Sequence, residues 1–182
     1  MNETLQTIKN RYSCRSYTGE PVEKEKIEAI TLAGVQAPSA LNKQPWQLIV
    51  LQDKSYIEEM DASVMDMLSK QQDTSTYERM MLRGGKVFYN APCMIIIAKE
   101  AGTDLDTGIV VENMALAASS LGLGNVICGL MNLSFDTEKG DKFKAKLIPD
   151  GYEFGVALLV GYATEDSKTP HEPDLSKVKY IG

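Results

Sequence analysis

The spacing of hydrophobic and polar positions divides the chain into helical and strand-like segments. Apolar residues spaced three and four apart predict helices over residues 3–10, 22–36, 54–70, 104–121 and 135–147. Short runs of apolar and β-branched residues predict buried strands over residues 46–51, 93–98, 126–130 and 154–162. The alternating tail 178–181 predicts an edge strand. Strands separated by helices indicate an α/β or α+β sandwich.

Residues 104–121 give the clearest helix prediction. They are rich in alanine and apolar on most sides, which is typical of a helix that is packed all round. Asp104 or Asp106 is expected to cap the start of this helix, and Gly122 and Gly124 are expected to end it. The residues predicted to share its packed stripe are Ile109, Asn113, Leu116, Ala117 and Ser120.

Two further segments differ in character. Residues 71–86 are polar and contain Gly84 and Gly85, so this stretch is the best candidate for a mobile excursion. The helix predicted over 135–147 carries Phe143 and Leu147, and its lysines are interpreted as a solvated face.

Length and charge limit the classes of protein to which the chain can belong. Its 182 residues are 43% hydrophobic, which suits a single domain over 1–182 with its own core. The formal net charge of −6 argues against a nucleic-acid-binding surface, which needs clustered basic residues. No apolar run approaches the roughly 18 residues of a membrane span, and the first residues lack the core of a signal peptide. A cytoplasmic protein without a membrane partner is expected.

Cysteine and histidine content restricts the available chemistry. Cys14, Cys93 and Cys128 are far apart, and their odd number favours free thiols over a disulfide framework. Cys93 opens an apolar run and is interpreted as a core residue. His171 is the single histidine, so a multi-histidine metal site is excluded and acid–base chemistry is poorly provided for. A bound cofactor would therefore carry any reaction.

A cationic cluster, Arg11-Tyr12-Ser13-Cys14-Arg15, follows the first predicted helix. In an extended chain, Arg11, Ser13 and Arg15 point to one side. Two guanidiniums and a hydroxyl on one side form a suitable clamp for a phosphate. The alternative is a pair of surface salt bridges, which contribute little to stability; the spacing favours the phosphate site.

Two other segments have patterns that suit a ligand. In residues 37–46, Pro38 and Pro45 restrict a backbone that carries a hydroxyl and two amides. This segment either holds a flat, polar-edged ligand or is an ordinary connection from helix to strand. The glycines of residues 121–130 either let the backbone approach a ligand closely or end a helix before a strand.

Taken in this order, the three segments resemble the FMN-dependent nitroreductase family. Arg11-x-Ser13-x-Arg15 is similar to the family's phosphate motif. Residues 37–46 match its APSAxNxQPW segment nearly residue for residue, and the resemblance covers essentially the whole chain. The matching parts of the central helix, the glycine turn and the last core strand are 112–113, 116–118, 121–124 and 160–162.

The resemblance implies a fold, a cofactor and a reaction. The implied fold is a three-layer α+β sandwich around a mixed central sheet, in a homodimer that exchanges C-terminal segments of about residues 168–182. One FMN binds per subunit at the interface. NADH or NADPH reduces it, and a nitroaromatic, quinone or related small-molecule acceptor reoxidises it in a ping-pong hydride-transfer cycle. The flavin carries the chemistry, so no catalytic side chain is implied.

The resemblance also implies which residues bind FMN. Arg11 and Ser13, with Tyr12 between them, hold the phosphate, and Arg15 stabilises negative charge at N1 and O2. Lys168 or His171 takes the place of the family's C-terminal basic pair. The other implied contacts come from the 37–46 segment of the second subunit and from backbone near N5. They are Pro38, Ser39, Ala40, Asn42, Gln44, Ile127, Cys128, Gly129 and Leu130.

Alternatives to this function stay open. A flavin store or sensor would bind FMN and oxidise no NAD(P)H. An enzyme of the same fold could instead catalyse dehalogenation or flavin fragmentation, since one fold hosts several reactions. Residues 71–86 are shorter than in longer family members, which implies an open and permissive substrate side. Whether Lys86 reaches the flavin is also open.

Overall fold

A four-stranded sheet forms the centre of the structure, a computed structural model that describes residues 1–165 and 172–182. Within these residues, strands β1 to β4 span Trp46–Leu51, Cys93–Lys99, Gly124–Cys128 and Glu153–Gly161. Helices α1 to α6 span Glu3–Asn10, Lys24–Val35, Lys54–Ser69, Ser75–Met81, Asp104–Ser120 and Gly140–Leu147. Short 3-10 segments cover Ala40–Asn42, Gly129–Asp136 and Leu175–Lys177. Among the described residues, no helix has both the length and the apolar content needed to cross a membrane.

The strand order is β1-β2-β4-β3, and each neighbouring pair is antiparallel. A parallel bridge joins Ser13 to Asn125 of β3, so the cationic cluster is attached to the edge of the sheet. The α+β sandwich is confirmed. In the part of the chain that the structure describes, the parallel component of the expected mixed sheet is confined to this bridge.

Helices cover both faces of the sheet and make three layers. Every residue of β2 is buried, because its side chains alternate between two cores. Ile96 packs in the cluster that includes Met60 of α3 and Phe143 of α6. Ile95 packs in the cluster that includes Ile30 of α2 and Met114 of α5. A continuously apolar strand is therefore the consequence of two covered faces.

Most predicted elements are confirmed, with two changes among the strands. β3 begins at Gly124 and ends at Cys128, because Gly129 starts a 3-10 turn. The tail 178–181 is not a strand: it follows the turn Leu175–Lys177 and is exposed, with Tyr180 at 93%. The edge-strand prediction is wrong for the isolated chain, because the tail's apolar side chains find no surface there to cover them.

Helix α5 differs from its prediction in its cap and in its packed face. Thr103 is the N-cap residue; Asp104 pairs with Lys99 at 3.3 Å, and Asp106 accepts a hydrogen bond from the Ala40 N–H. Because the helix is apolar on most sides, spacing did not identify the face that packs. The predicted stripe is half-buried or, at Ser120, exposed. The buried residues are Thr107, Val110, Val111, Met114, Ala115 and Ala118.

Residues 71–86 contain more regular structure than their polar sequence indicates. Residues 71–86 contain α4, and Gly84 and Gly85 follow it with φ of +90° and +69°. The mobility expected of this stretch stays a prediction.

The lysines of the α6 region are exposed, as predicted, and three of them also contact α3. Lys139 and Lys142 pair with Glu59 of α3 at 2.8 and 3.2 Å. Lys146 lies 3.8 Å above the centre of the Tyr56 ring. These contacts tie the α6 region to α3 on one face of the sheet.

Candidate functional site

The cationic cluster is held in an extended conformation by β3. The Cys14 N–H donates to the Asn125 carbonyl oxygen at 2.8 Å, beside the bridge at Ser13. Cys14 is fully buried, so the alternation of an extended chain directs Arg11, Ser13 and Arg15 away from it. The Asn125 side chain donates to the Ala115 carbonyl oxygen at 3.0 Å, which fixes the cluster relative to α5.

Arg11 and Arg15 have different surroundings. The Arg11 Nε lies 3.8 Å from the Glu112 carboxylate on α5, with 21% of the Arg11 side chain exposed. Such a long, partly exposed pair contributes little to stability. Arg15 is exposed, and its Nη1 donates to the Ser13 carbonyl oxygen at 3.3 Å. No carboxylate of residues 1–165 or 172–182 forms an ion pair with Arg15.

Arg15 borders a cavity of about 200 Å³ at the end of β3. The predicted flavin-facing segment lines the same cavity, so the structure brings Arg15 and residues 127–130 together. The full lining is Arg15, Arg79, Met80, Arg83, Tyr89, Val126, Ile127, Cys128, Gly129 and Leu130.

Cys128 is a neutral thiol at this cavity. Burial raises its pKa to about 11, although hydrogen bonds from the Met131 and Leu130 N–H groups act in the opposite direction. A thiol with this pKa is protonated at neutral pH and is a poor nucleophile. Burial likewise raises the pKa of Cys93 to about 12, in agreement with its predicted place in the core.

The segment 38–44 is tied together by its own side chains. Ser39 Oγ accepts from the Gln44 N–H at 2.9 Å, and Asn42 Oδ1 accepts from Gln44 Nε2 at 3.2 Å. The Ala40 N–H donates to Asp106 Oδ1 at 3.1 Å, which attaches the segment to the first turn of α5. A rigid, exposed polar surface results.

The backbone of this segment is also strained. Leu41, Asn42 and Gln44 have φ of 54°, 54° and 49°, a region that non-glycine residues rarely occupy. Leu41 is 90% exposed, so burial of its side chain does not offset the strain. Strain of this kind is concentrated at functional sites, which favours the ligand-holding interpretation over an ordinary connection.

The structure does not place all predicted site residues together in one chain. The segment 38–44 contributes nothing to the lining of the Arg15 cavity. Tyr12 lines a separate open groove beside α1. Lys86 lines a small recess with Asp61 and donates to Asn90 Oδ1 at 3.2 Å. Lys168 and His171 lie outside the described residues.

Sequence analysis missed five residues of the Arg15 cavity, which are Arg79, Met80, Arg83, Tyr89 and Val126. Arg79 lies on α4, Arg83 lies in the turn after it, and Tyr89 precedes β2. The four-residue spacing of the two arginines is the signal that could have placed them on one helical face. Their polar surroundings in the sequence gave no reason to connect them with residue 15.

Comparison of the sequence with known proteins identifies one family. The pattern of the Nitroreductase family matches residues 8–162. A Methanothermobacter thermautotrophicus protein, provisionally named NADH dehydrogenase/NAD(P)H nitroreductase, is 30% identical over 174 residues, covering 92% of this chain and 81% of its own.

Solved structures agree with the family match. The crystal structure of a nitroreductase with bound FMN from Desulfitobacterium hafniense has a TM-score of 0.94 and 41% identity, over all of both chains. Iodotyrosine deiodinase bound to FMN and 3-iodo-L-tyrosine has a TM-score of 0.72 at 19% identity, covering 98% of this chain and 99% of its own, and shares the fold alone. From the family match and these similarities together, we conclude that the chain belongs to the Nitroreductase family.

Proposed function

We propose that this protein is an FMN-dependent oxidoreductase that uses NADH or NADPH to reduce nitroaromatic, quinone or related acceptors. FMN, when bound, supplies the exchange of reducing equivalents between nicotinamide and acceptor. The observation that carries the proposal is the cavity shared by Arg15 and residues 127–130. Nicotinamide and acceptor occupy this one site in turn, which gives ping-pong kinetics. A cytoplasmic location is part of the proposal.

The chain's residues fit FMN in chemistry. Arg11 and Ser13 offer a guanidinium and a hydroxyl for the phosphate. Among the described residues, Arg11 has one long ion pair, and its terminal nitrogens make no hydrogen bond. Arg15 supplies positive charge beside the cavity, where it would hold the pyrimidine side of the ring and stabilise negative charge there. Cys128 stays protonated and packs rather than reacts.

Two copies of the chain would complete each site. The segment 38–44 is fixed to the start of α5, whereas the cationic cluster is fixed to β3 and the later part of that helix. The exposed Leu41 and the strained backbone around it suit a contact with the second subunit. The exposed apolar tail with Tyr180 and Ile181 suits an exchanged C-terminal segment. We propose a homodimer on these grounds.

Reduction of the FMN-loaded protein tests this function. Anaerobic addition of NADH or NADPH should bleach the flavin absorbance, and a nitroaromatic or quinone should restore it. For ping-pong turnover, double-reciprocal plots of the initial rate against nicotinamide concentration should be parallel lines at different fixed acceptor concentrations. Protein that binds FMN but stays oxidised would instead be a store or sensor. Protein that binds no FMN would contradict both assignments.

A further inference from the structure

Three guanidinium groups face the candidate site. Arg15 enters the cavity from the cationic cluster, and Arg79 and Arg83 enter it from α4 and the turn that follows. Residues 126–130, with Met80 and Tyr89, form the remaining wall. The cavity lining contains no acidic residue.

These charges are not neutralised by the protein. Within residues 1–165 and 172–182, no carboxylate forms an ion pair with Arg15, Arg79 or Arg83. The Arg79 Nη2 makes a 3.5 Å contact with the Thr76 hydroxyl. The chain has a net charge of −6, with 25 acidic side chains available for pairing. Three unpaired cations around one cavity of an acidic protein favour an anionic ligand.

We propose that Arg79 and Arg83 select acceptors that carry a carboxylate or another anionic group on an aromatic ring. This inference rests on the proposed function, because it concerns the acceptor side of the same cavity. Arg15 is assigned to the flavin, and the two other arginines approach from α4, an element that carries none of the predicted FMN contacts. A planar guanidinium can bind a carboxylate through two parallel hydrogen bonds.

The apolar surroundings of the two arginines indicate the rest of the ligand. Met81 and Leu82 lie between them in sequence and are 52% and 89% exposed. Met80 and Tyr89, which are both buried, line the cavity beneath them. A small aromatic acid combines the required charge and apolar surface.

Binding to the oxidised, FMN-loaded protein provides a test that does not depend on turnover. The probes are 4-nitrobenzoate and 4-nitrobenzyl alcohol, which have nearly the same size and differ in charge. Calorimetry gives the ratio of their dissociation constants for the unmodified protein and for Arg79→Gln, Arg83→Gln and the double variant. Tighter binding of the carboxylate is expected, with a preference that falls roughly three- to tenfold for each substitution. Lys24→Gln, which removes one exposed positive charge on α2, is the matched control.

The outcomes separate this proposal from its competitors. The proposal is overturned if the ratio of the two dissociation constants in the double variant stays within about twofold of the ratio in the unmodified protein. This holds whether both ligands bind more weakly by the same factor or neither binding changes. If the variants lose affinity for NADPH but not for NADH, and the acceptor ratio is unchanged, the anion is the 2′-phosphate and the acceptor assignment is wrong. Failure of NADH and NADPH to bleach the flavin contradicts the proposed function, while the binding ratio still decides whether the arginines recognise an aromatic acid.

Discussion

The buried Asp61 carboxylate of α3 accepts a hydrogen bond of 2.6 Å from the Val87 N–H, and a second of 3.2 Å from the Phe88 N–H. These bonds hold the chain where it leaves the α4 segment and approaches β2. Tyr89, which lines the candidate site, follows directly. Asp61 therefore positions one wall of the cavity without touching it.

Replacement of Asp61 by alanine should destabilise the protein. Two buried N–H groups would lose their acceptor, and each unsatisfied group costs about 1–3 kcal/mol, so we expect the free energy of unfolding to fall by about 2–6 kcal/mol. Urea denaturation measures this change. Asp66→Ala, at an exposed position on the same helix, should change stability much less. If the two substitutions lower the free energy of unfolding equally, the buried hydrogen bonds of Asp61 do not contribute more to stability than an exposed carboxylate does.

The stability contribution of Asp61 should also depend on pH. Burial raises the pKa of Asp61, while hydrogen bonds from Val87 and Phe88 oppose the rise. The native state therefore keeps the proton at pH values where the unfolded state has already lost it. By linkage, stability falls as pH rises from the unfolded pKa, near 4, to the native pKa.

Asp61→Asn provides the reference for this pH effect. The amide oxygen still accepts hydrogen bonds but does not titrate. The free energy of unfolding of the unmodified protein minus that of the variant should decline across the acidic range and become constant at higher pH. Urea denaturation at a series of pH values measures it. A difference that grows with rising pH would mean that the native pKa is lowered.

The cysteines should resist alkylation in the native protein. All three thiols are buried, and the raised pKa values of Cys93 and Cys128, about 12 and 11, leave almost no thiolate at pH 8. Mass spectrometry after treatment with iodoacetamide should find three modified sites in urea-unfolded protein and essentially none in native protein. Rapid native labelling of Cys128 would indicate an open, reactive thiol at the candidate site.

Arg11→Ala should weaken FMN binding. A hydrogen bond to a charged group contributes about 1.5–3 kcal/mol, which corresponds to roughly a 10- to 150-fold rise in the dissociation constant. Fluorescence titration of the apoprotein with FMN measures the change. Lys9→Ala, which removes an exposed positive charge two positions earlier, should have little effect. If Arg11→Ala binds FMN normally, the phosphate is held elsewhere.

Local patterns predicted the fold better than they predicted the site. Ile27, Ile30 and Gly34 are the buried residues of α2, and their spacing of three and four places them on one face, because spacing within one helix decides which residues share a face. The relation of Arg83 to Arg15 depends on how the α4 segment returns to the sheet, which no short-range pattern encodes. The face of α5 was missed for a different reason: its apolar residues surround the helix, so periodicity selects no side.

A pair of glycine substitutions tests how tightly the cationic cluster is packed. A Cβ atom added at Gly124 would lie 2.7 Å from Cys14 Sγ, closer than real Cβ contacts, and 3.0 Å from Ala163 Cβ, which is tighter than most of them. Because Cys14 is fully buried, it cannot move away without displacing the cluster that carries Arg11 and Arg15. Overpacking of this kind costs about 1–3 kcal/mol, so Gly124→Ala should lower the melting temperature and weaken FMN binding together.

Gly108→Ala is the matched control, because the space around Gly108 is open. Gly108 lies in α5, and a Cβ atom there meets nothing within 4 Å. Alanine in a helix interior is favoured over glycine by about 0.5–1 kcal/mol, so this variant should melt at a higher temperature and bind FMN normally. Differential scanning calorimetry and FMN titration of both variants make the comparison. If Gly124→Ala loses stability but keeps full FMN affinity, the cationic cluster tolerates displacement, and its contact with β3 does not set the phosphate site.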